Sequence, residues 1–257
     1  MILTMDIGNT NVKYGVFDRD KMIASWRVST KASRTADEYG MVLYDLLRQR
    51  GVNFEDIDAC VMSSVAPALN YTIEHMCNDY IGKSPLIVSC DTDTGITLDY
   101  AQPTQLGTDR IVGAAAAYAI YGGPVIVVDF GSATTFNLVT KDGKFLGGAI
   151  APGIKTATES LVTTAAKLPR IELEKPQNIV GRDTKSCMQS GIVYGYTGLV
   201  KYMVEKYKQL DKMKGAKVVA TGGLSELVQQ IEPDIIDESD RALALKGLKM
   251  VYDRNRK

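Results

Sequence analysis

The chain opens on a short apolar run, Ile2 to Asp6, that ends in a carboxylate and then a glycine. Val12, Tyr14 and Val16 alternate after it and Ile23 to Val28 keep the strand character, so three consecutive strands are predicted. Tyr39, Val42, Leu43, Leu46 and Leu47 fall at helical spacing within 36–50, with Gly51 where a helix would end. Ala59 to Ser63 reads as a fourth strand, Ala68 to Ile81 as a helix and Leu86 to Ser89 as another strand. A strand-rich ribbon followed by alternating elements predicts an α/β fold with a mixed sheet.

The second half repeats this plan. Val125 to Asp129 is a buried-type strand ending in an acid, followed by Gly131, a strand over Thr134 to Thr140, a turn at 141–143 and a third strand from Lys144 to Ile150. Setting Asp6 over Asp129 also sets Gly8 over Gly131 and Lys21 over Lys144 without a gap, which predicts an internal duplication. The rest predicts helices at about 154–166 and 186–209, a strand at Lys217 to Ala220, a Gly222-Gly223 turn, a short helix and a closing helix over about 238–252. No low-complexity linker marks a boundary, so the division into lobes 1–120 and 121–257 rests on the repeat. Two similar lobes with a ligand cleft between them are the expected shape.

Composition narrows the function classes. A length of 257 residues with 45% hydrophobic and 23% charged positions supports real cores, and disorder is not expected. Thirty basic residues balance thirty acidic ones, which removes the usual footprint of a nucleic-acid or acidic-membrane binder. Cys60, Cys77, Cys90 and Cys187 form no C-x-x-C pair and have only His75 as an imidazole companion, so neither structural zinc nor a disulfide framework is indicated. That lone imidazole also argues against Ser-His-Asp or Cys-His catalysis. With an acid already at Asp6 and no run near the ~18 apolar residues a membrane span needs, the expected setting is the cytoplasm, with reduced thiols.

What remains is a set of acid and glycine turns. In Asp6-Ile7-Gly8-Asn9-Thr10-Asn11 a glycine allows close backbone approach, amides and a hydroxyl can donate to phosphate oxygens, and the carboxylate can hold Mg²⁺. The same residues also make ordinary hairpin turns. Asp129-Phe130-Gly131-Ser132-Ala133-Thr134-Thr135 supplies a second acid, glycine and hydroxyl set at the matching turn, and two such hairpins could clamp a nucleotide. Ala220-Thr221-Gly222-Gly223 is a third glycine turn after a strand, and Gly147 to Gly153 suggests a close backbone approach to a ligand or a hinge. Lys13 is either a solvated strand residue or a cation near the phosphates. Gly107-Thr108-Asp109-Arg110 opens an Ala-rich helix: Asp109 is either a helix cap or, with Arg110 able to bind a substrate carboxylate in bidentate fashion, a proton acceptor.

Taken together these motifs resemble the acetate and sugar kinase, Hsp70 and actin superfamily, whose two ribonuclease-H-like lobes hold ATP. Within it, the Asp6–Asn11 turn, the 103–110 segment, the Asp129–Thr135 turn, 147–153 and Gly181-Arg182-Asp183-Thr184 are similar to type III pantothenate kinase over essentially the whole chain. The resemblance implies ATP-dependent phosphorylation of the terminal hydroxyl of pantothenate, the first step of coenzyme A synthesis. It implies Asp109 as general base, and Asp6, Gly8, Asn9, Thr10, Asn11 and Lys13 on the ATP phosphates, with Asp6 holding Mg²⁺ directly or through water. It also implies a monovalent cation, potassium or ammonium, at Asp129, and an ATP contact at Ser132, where the family more often has Thr. Pantothenate would meet Tyr100, Gly107, Thr108, Asp109, Arg110 and Thr184, the last reaching across a homodimer interface. The alternatives are another small-molecule kinase of the superfamily and, because some relatives have been labelled so, a non-catalytic transcription accessory protein. A chaperone-like ATPase would need a peptide-binding domain that this chain has no room for.

Overall fold

A computed structural model describes residues 1–256. They divide into two compact units. The first comprises Met1–Ile96, Ala101–Ala116 and the chain from Ala242 onward; the second comprises Thr97–Tyr100 and Ala117–Arg241.

In the first unit, β1 (Ile2–Ile7), β2 (Asn11–Asp18) and β3 (Lys21–Ser29) form an antiparallel meander, and β4 (Ala59–Ser64) and β5 (Leu86–Ile87) extend it in parallel to give the order β3-β2-β1-β4-β5. The alternation of β1 decides what each face meets. Leu3, Met5 and Ile7 join a core with Tyr39, Leu43 and Leu47 of α1 (Ala36–Arg48) and Ile73 and Met76 of α2 (Asn70–Met76). A capping box between Thr35 and Glu38 starts α1, satisfying donors that the first turn leaves orphaned. Ile2, Thr4 and Asp6 take the opposite face. There Val61 packs with Val112 of α3 (Thr108–Tyr121) and with Leu248 and Val251 of α7 (Leu243–Asn255).

The α3–α7 crossing is tight because position 247 has no side chain: a Cβ on Gly247 would stand 2.5 Å from the Val112 carbonyl oxygen and 3.0 Å from Ala116 Cβ. Ala in a helix gains up to about 1 kcal/mol over Gly, but overpacking against main chain costs about 1–3 kcal/mol. Gly247→Ala should therefore lower the urea midpoint with an unchanged slope. A midpoint at or above the wild-type value would show that the crossing yields.

The second unit carries β7 (Val125–Phe130), β8 (Ala133–Val139), β9 (Lys144–Pro152), β10 (Lys217–Gly222) and β11 (Glu238–Ser239) in the order β11-β10-β7-β8-β9, with β6 (Thr97–Leu98) added in parallel at the β9 edge. Helices α4 (Ile154–Thr164), α5 (Thr184–Lys208) and α6 (Ser225–Ile231) complete it, and Val200 and Val204 of α5 pack on Ile126, Val128, Phe136 and Leu138. Apart from β6 the two sheets share one strand order and one set of directions, and each has a register break between its second and third strands, at Val16/Phe17 and at Leu138/Val139.

Register refines the repeat. Ile7 faces Val12 across a four-residue connection, whereas Phe130 faces Thr134 across three residues. The turn from β8 to β9 is longer than that from β2 to β3, so the gap-free superposition of the halves contains two one-residue shifts that cancel. Asn11 is thus the counterpart of Ala133, and Lys13 that of Thr135.

Other expectations need correction. The helix expected over 238–252 begins only at Leu243, because Glu238 and Ser239 pair with Val219 and Ala220 of β10. The closing helix belongs to the first unit, not to a lobe spanning 121–257, since Gly247 lets it seat against α3. The stretch expected as one helix over 68–81 is a short turn, α2 and then a wider helical turn at Cys77–Ile81. Strand β6 was not expected at all. In the glycine-rich 147–153 stretch, Gly148 (φ 154°) lies so close to the Phe136 carbonyl that any Cβ would collide with it, and a Cβ on Gly153 would be 2.4 Å from the Gly131 oxygen. These glycines answer the neighbouring strand and hairpin. All four cysteines are free, and among the described residues no helix is long and apolar enough to cross a membrane.

Candidate active site

Asp6 sits in register opposite Lys13 on β2 and Ser63 on β4. Residues opposite one another share a face of the sheet, which brings three polar side chains together. Lys13 Nζ donates to Asp6 Oδ2 at 3.0 Å and Ser63 Oγ donates to Oδ1 at 3.1 Å. Asp6 is only 6% exposed and Ser63 is fully buried, so the carboxylate is held from both sides. Each of its oxygens retains a lone pair for another donor. The hairpin beyond is braced by Gly8 N–H to the Asn11 carbonyl (3.0 Å), Thr30 N–H to the Thr10 carbonyl (2.9 Å) and Thr30 Oγ1 to the Gly8 carbonyl (2.7 Å). Asn9 and Thr10 are left exposed at its tip.

Asp109 belongs to the same unit. It is the second residue of α3, not its cap: the Gly107 carbonyl receives the first helical bonds, from the Arg110 and Ile111 N–H groups, and the Asp109 carboxylate accepts the Arg110 N–H at 2.7 Å. Burial pushes its carboxyl above the ordinary carboxylate range, and the negative charge of Asp6 pushes it further. The Arg110 N–H and the positive charges of Arg110 and Lys13 oppose the rise. Asp6, Lys13, Asp109 and Arg110 thus form one electrostatic group. Arg110 is buried, so its charge acts with little screening. A Cβ on Gly107 would lie 2.6 Å from Asp109 Oδ1, so only glycine leaves that carboxylate where it is.

The remaining candidates lie in the second unit. Asp129, half-buried near the end of β7, stands opposite Thr135 of β8 and Thr221 of β10. Ser132 is exposed, and its carbonyl accepts the Gly153 N–H (3.1 Å) and Thr156 Oγ1 (2.7 Å), which fixes the hairpin. Tyr100 packs edge-on against Phe145 and lies over Gly147, where a Cβ would be 3.2 Å from its ring. Thr184 is the exposed first residue of α5, which Asp183 caps by accepting the Ser186 N–H at 2.9 Å. Gly181, Arg182 and Asp183 line a groove of about 420 Å³. His75 packs on the Tyr71 ring near the surface, with the Asp79 carboxylate 3.9 Å from its Nδ1.

Ser63 was not singled out from the sequence, although its counterpart Thr221 stands in one of the motifs that were. The repeat offered the signal: a hydroxyl residue occurs opposite the acid on the parallel neighbour in both sheets.

Among the described residues no cluster of three or more His, Cys, Asp and Glu is ready to hold a metal. Mg²⁺ in phosphoryl-transfer sites needs only one or two carboxylates beside phosphates and waters, and Asp6 fits that role through water because Lys13 and Ser63 already occupy one position on each oxygen. The Asp129, Thr135 and Thr221 register offers the oxygen donors a hard monovalent cation prefers.

Two sheets of one topology, each with an acid at the end of its first strand, define the duplicated ribonuclease-H-like fold of actin-like ATPases and sugar kinases. The fold is shared with a protein assigned as a 2-dehydro-3-deoxygalactonokinase from Sinorhizobium meliloti (TM-score 0.60, 11% identity, 99% of this chain and 97% of that one). It is also shared with the ethanolamine utilization protein EutJ from Carboxydothermus hydrogenoformans (TM-score 0.54, 12% identity, 97% and 89%). Residues 2–206 match the sequence profile of the family described as type III pantothenate kinase, and the chain belongs to that family.

Proposed function

We propose that this protein transfers the γ-phosphoryl group of ATP to the terminal hydroxyl of pantothenate, giving 4′-phosphopantothenate and ADP. Membership of the family supports the kinase class and the acceptor. The observation that carries the chemistry is Asp109, a half-buried carboxylate made more basic by burial and by Asp6, beside a buried arginine. Asp109 takes the hydroxyl proton as the oxygen attacks phosphorus, and the bond from the γ-phosphorus to the bridging oxygen of ADP breaks. Phosphoryl transfer asks little covalent work of the protein, so charge and alignment suffice.

In this reading the hairpins at 6–13 and 129–132 hold the nucleotide, with Gly8, Asn9, Thr10 and Asn11 on the phosphates and Ser132 on ATP. Arg110 and Tyr100 receive the acceptor with Gly107. Lys13 neutralises phosphate charge, and Asp6 holds Mg²⁺ through water. Held there, Mg²⁺ would supply positive charge against the phosphates during transfer. Asp129 binds potassium or ammonium, and a homodimer brings Thr184 to the pantothenate site of the opposite subunit. A coupled ADP-release assay with Mg²⁺ and potassium tests the assignment: the signal should require pantothenate and be absent with hexoses, acetate or glycerol. Replacing potassium by sodium or a bulky organic cation should depress the rate, and an unchanged rate would count against a cation at Asp129.

A further inference from the structure

We propose that Thr108 is a positioning residue for Asp109, fastened to the end of β4, and not a contact for the acceptor as its place in the motif implies. Its hydroxyl is engaged twice by one residue. Thr108 Oγ1 accepts the Ser64 N–H at 3.1 Å and donates its proton to the Ser64 carbonyl at 3.1 Å. A threonine hydroxyl has one proton to give, so none remains for a substrate carboxylate or carbonyl.

The fixture itself is rigid. Val65 N–H continues the β1–β4 ladder to the Ile7 carbonyl at 3.0 Å, and Ala66 N–H is held by Ser64 Oγ at 3.2 Å. One residue earlier, Ser63 Oγ holds Asp6. Adjacent residues at the end of one buried strand therefore set both acids: Ser63 holds Asp6 directly, and Ser64 fixes the first turn of α3, in which Asp109 is the next residue after Thr108. Gly107 keeps the Asp109 carboxylate free of steric pressure, and Val65 flanks that glycine at 3.4 Å from where its Cβ would be. Transfer is sensitive to such placement, because an error of about 1 Å can cost on the order of 10²-fold in rate.

The inference rests on Asp109 being the base, and the test separates the two. Thr108→Val keeps the shape and removes both hydrogen bonds; Thr108→Ser keeps the hydroxyl. Val should lower kcat by about 10–100-fold with KM for pantothenate within about twofold, and Ser should restore most of kcat. A raised KM with kcat retained would make Thr108 a substrate contact and overturn the proposal, as would wild-type kinetics for Thr108→Val. Should the Val protein fail to fold, Thr108→Ala carries the same expectation. Asp109→Asn is measured alongside: if it stays active, the base assignment falls, whereas an inactive Asp109→Asn with a normal Thr108→Val removes the positioning role alone.

Discussion

Replacing Asp109 with Asn should slow pantothenate phosphorylation by about 10²–10⁴-fold, the usual worth of a placed proton acceptor, while the unfolding temperature at neutral pH stays level or rises. The second half of that expectation follows from the direction of the shift. Burial and Asp6 raise the carboxyl of Asp109 in the folded protein above its unfolded value. The folded state therefore holds the proton more tightly, and the wild type loses stability as pH climbs from the ordinary carboxylate range through that raised value. Asn carries no such charge and escapes the loss. Thermal unfolding of both proteins at acid and neutral pH checks this: the difference should favour Asn more at neutral pH. An Asn protein with near-normal turnover would remove Asp109 from the chemistry, and one that melts well below wild type at neutral pH would show its charge to be stabilising.

Asp6→Asn should be comparably severe, with kcat down by about 10²–10³-fold, the scale on which single placed electrostatic groups act. Ser63 can still donate to the amide oxygen, but Lys13 loses the carboxylate it donates to, and the proposed Mg²⁺ site loses its charge. The residual activity carries a second signature. Asp6 is one of the charges that raise Asp109, so its neutralisation lowers the Asp109 value, and the acid limb of the kcat/KM profile should move to lower pH. Lys13→Met should move it the other way, because Lys13 opposes the rise. A limb that is stationary in both variants would mean that the two acids do not sense one another during turnover.

Much of the fold is legible in the chain because its central strands are covered on both faces and therefore read as apolar runs, β1 and β7 being buried at nearly every position. β1, β2, β7 and β8 can be placed from their apolar spacing, and the glycine and acid at their ends mark the turns. What escapes is decided elsewhere. Two-residue strands such as β6 and β11 contain no period to detect, and they form because a neighbouring strand offers unpaired backbone groups. The start of α7 is misplaced for the same reason. The one-residue register shifts cancel, so an alignment of letters passes over them. At the site, Asp6, Lys13, Asp109 and Arg110 are recoverable as types in motifs. Ser63 and Ser64 lie in no motif that was singled out, and only the pairing of β4 with β1 and the approach of Gly107-Thr108 show what they touch.

The placement of α7 bears on how the polypeptide matures during synthesis. The second unit, apart from the short 97–100 segment, is one continuous stretch that can close on itself as soon as it leaves the ribosome. The earlier-made sheet must wait. Until the residues after Ala242 emerge, Ile2, Val61 and Val112 lack their covering helix, and the strands bearing Asp6 and Lys13 stay open to solvent or to a chaperone. Nascent chains arrested before Leu243 should therefore be cut by protease in the first-made segment, while the later-made one is already resistant.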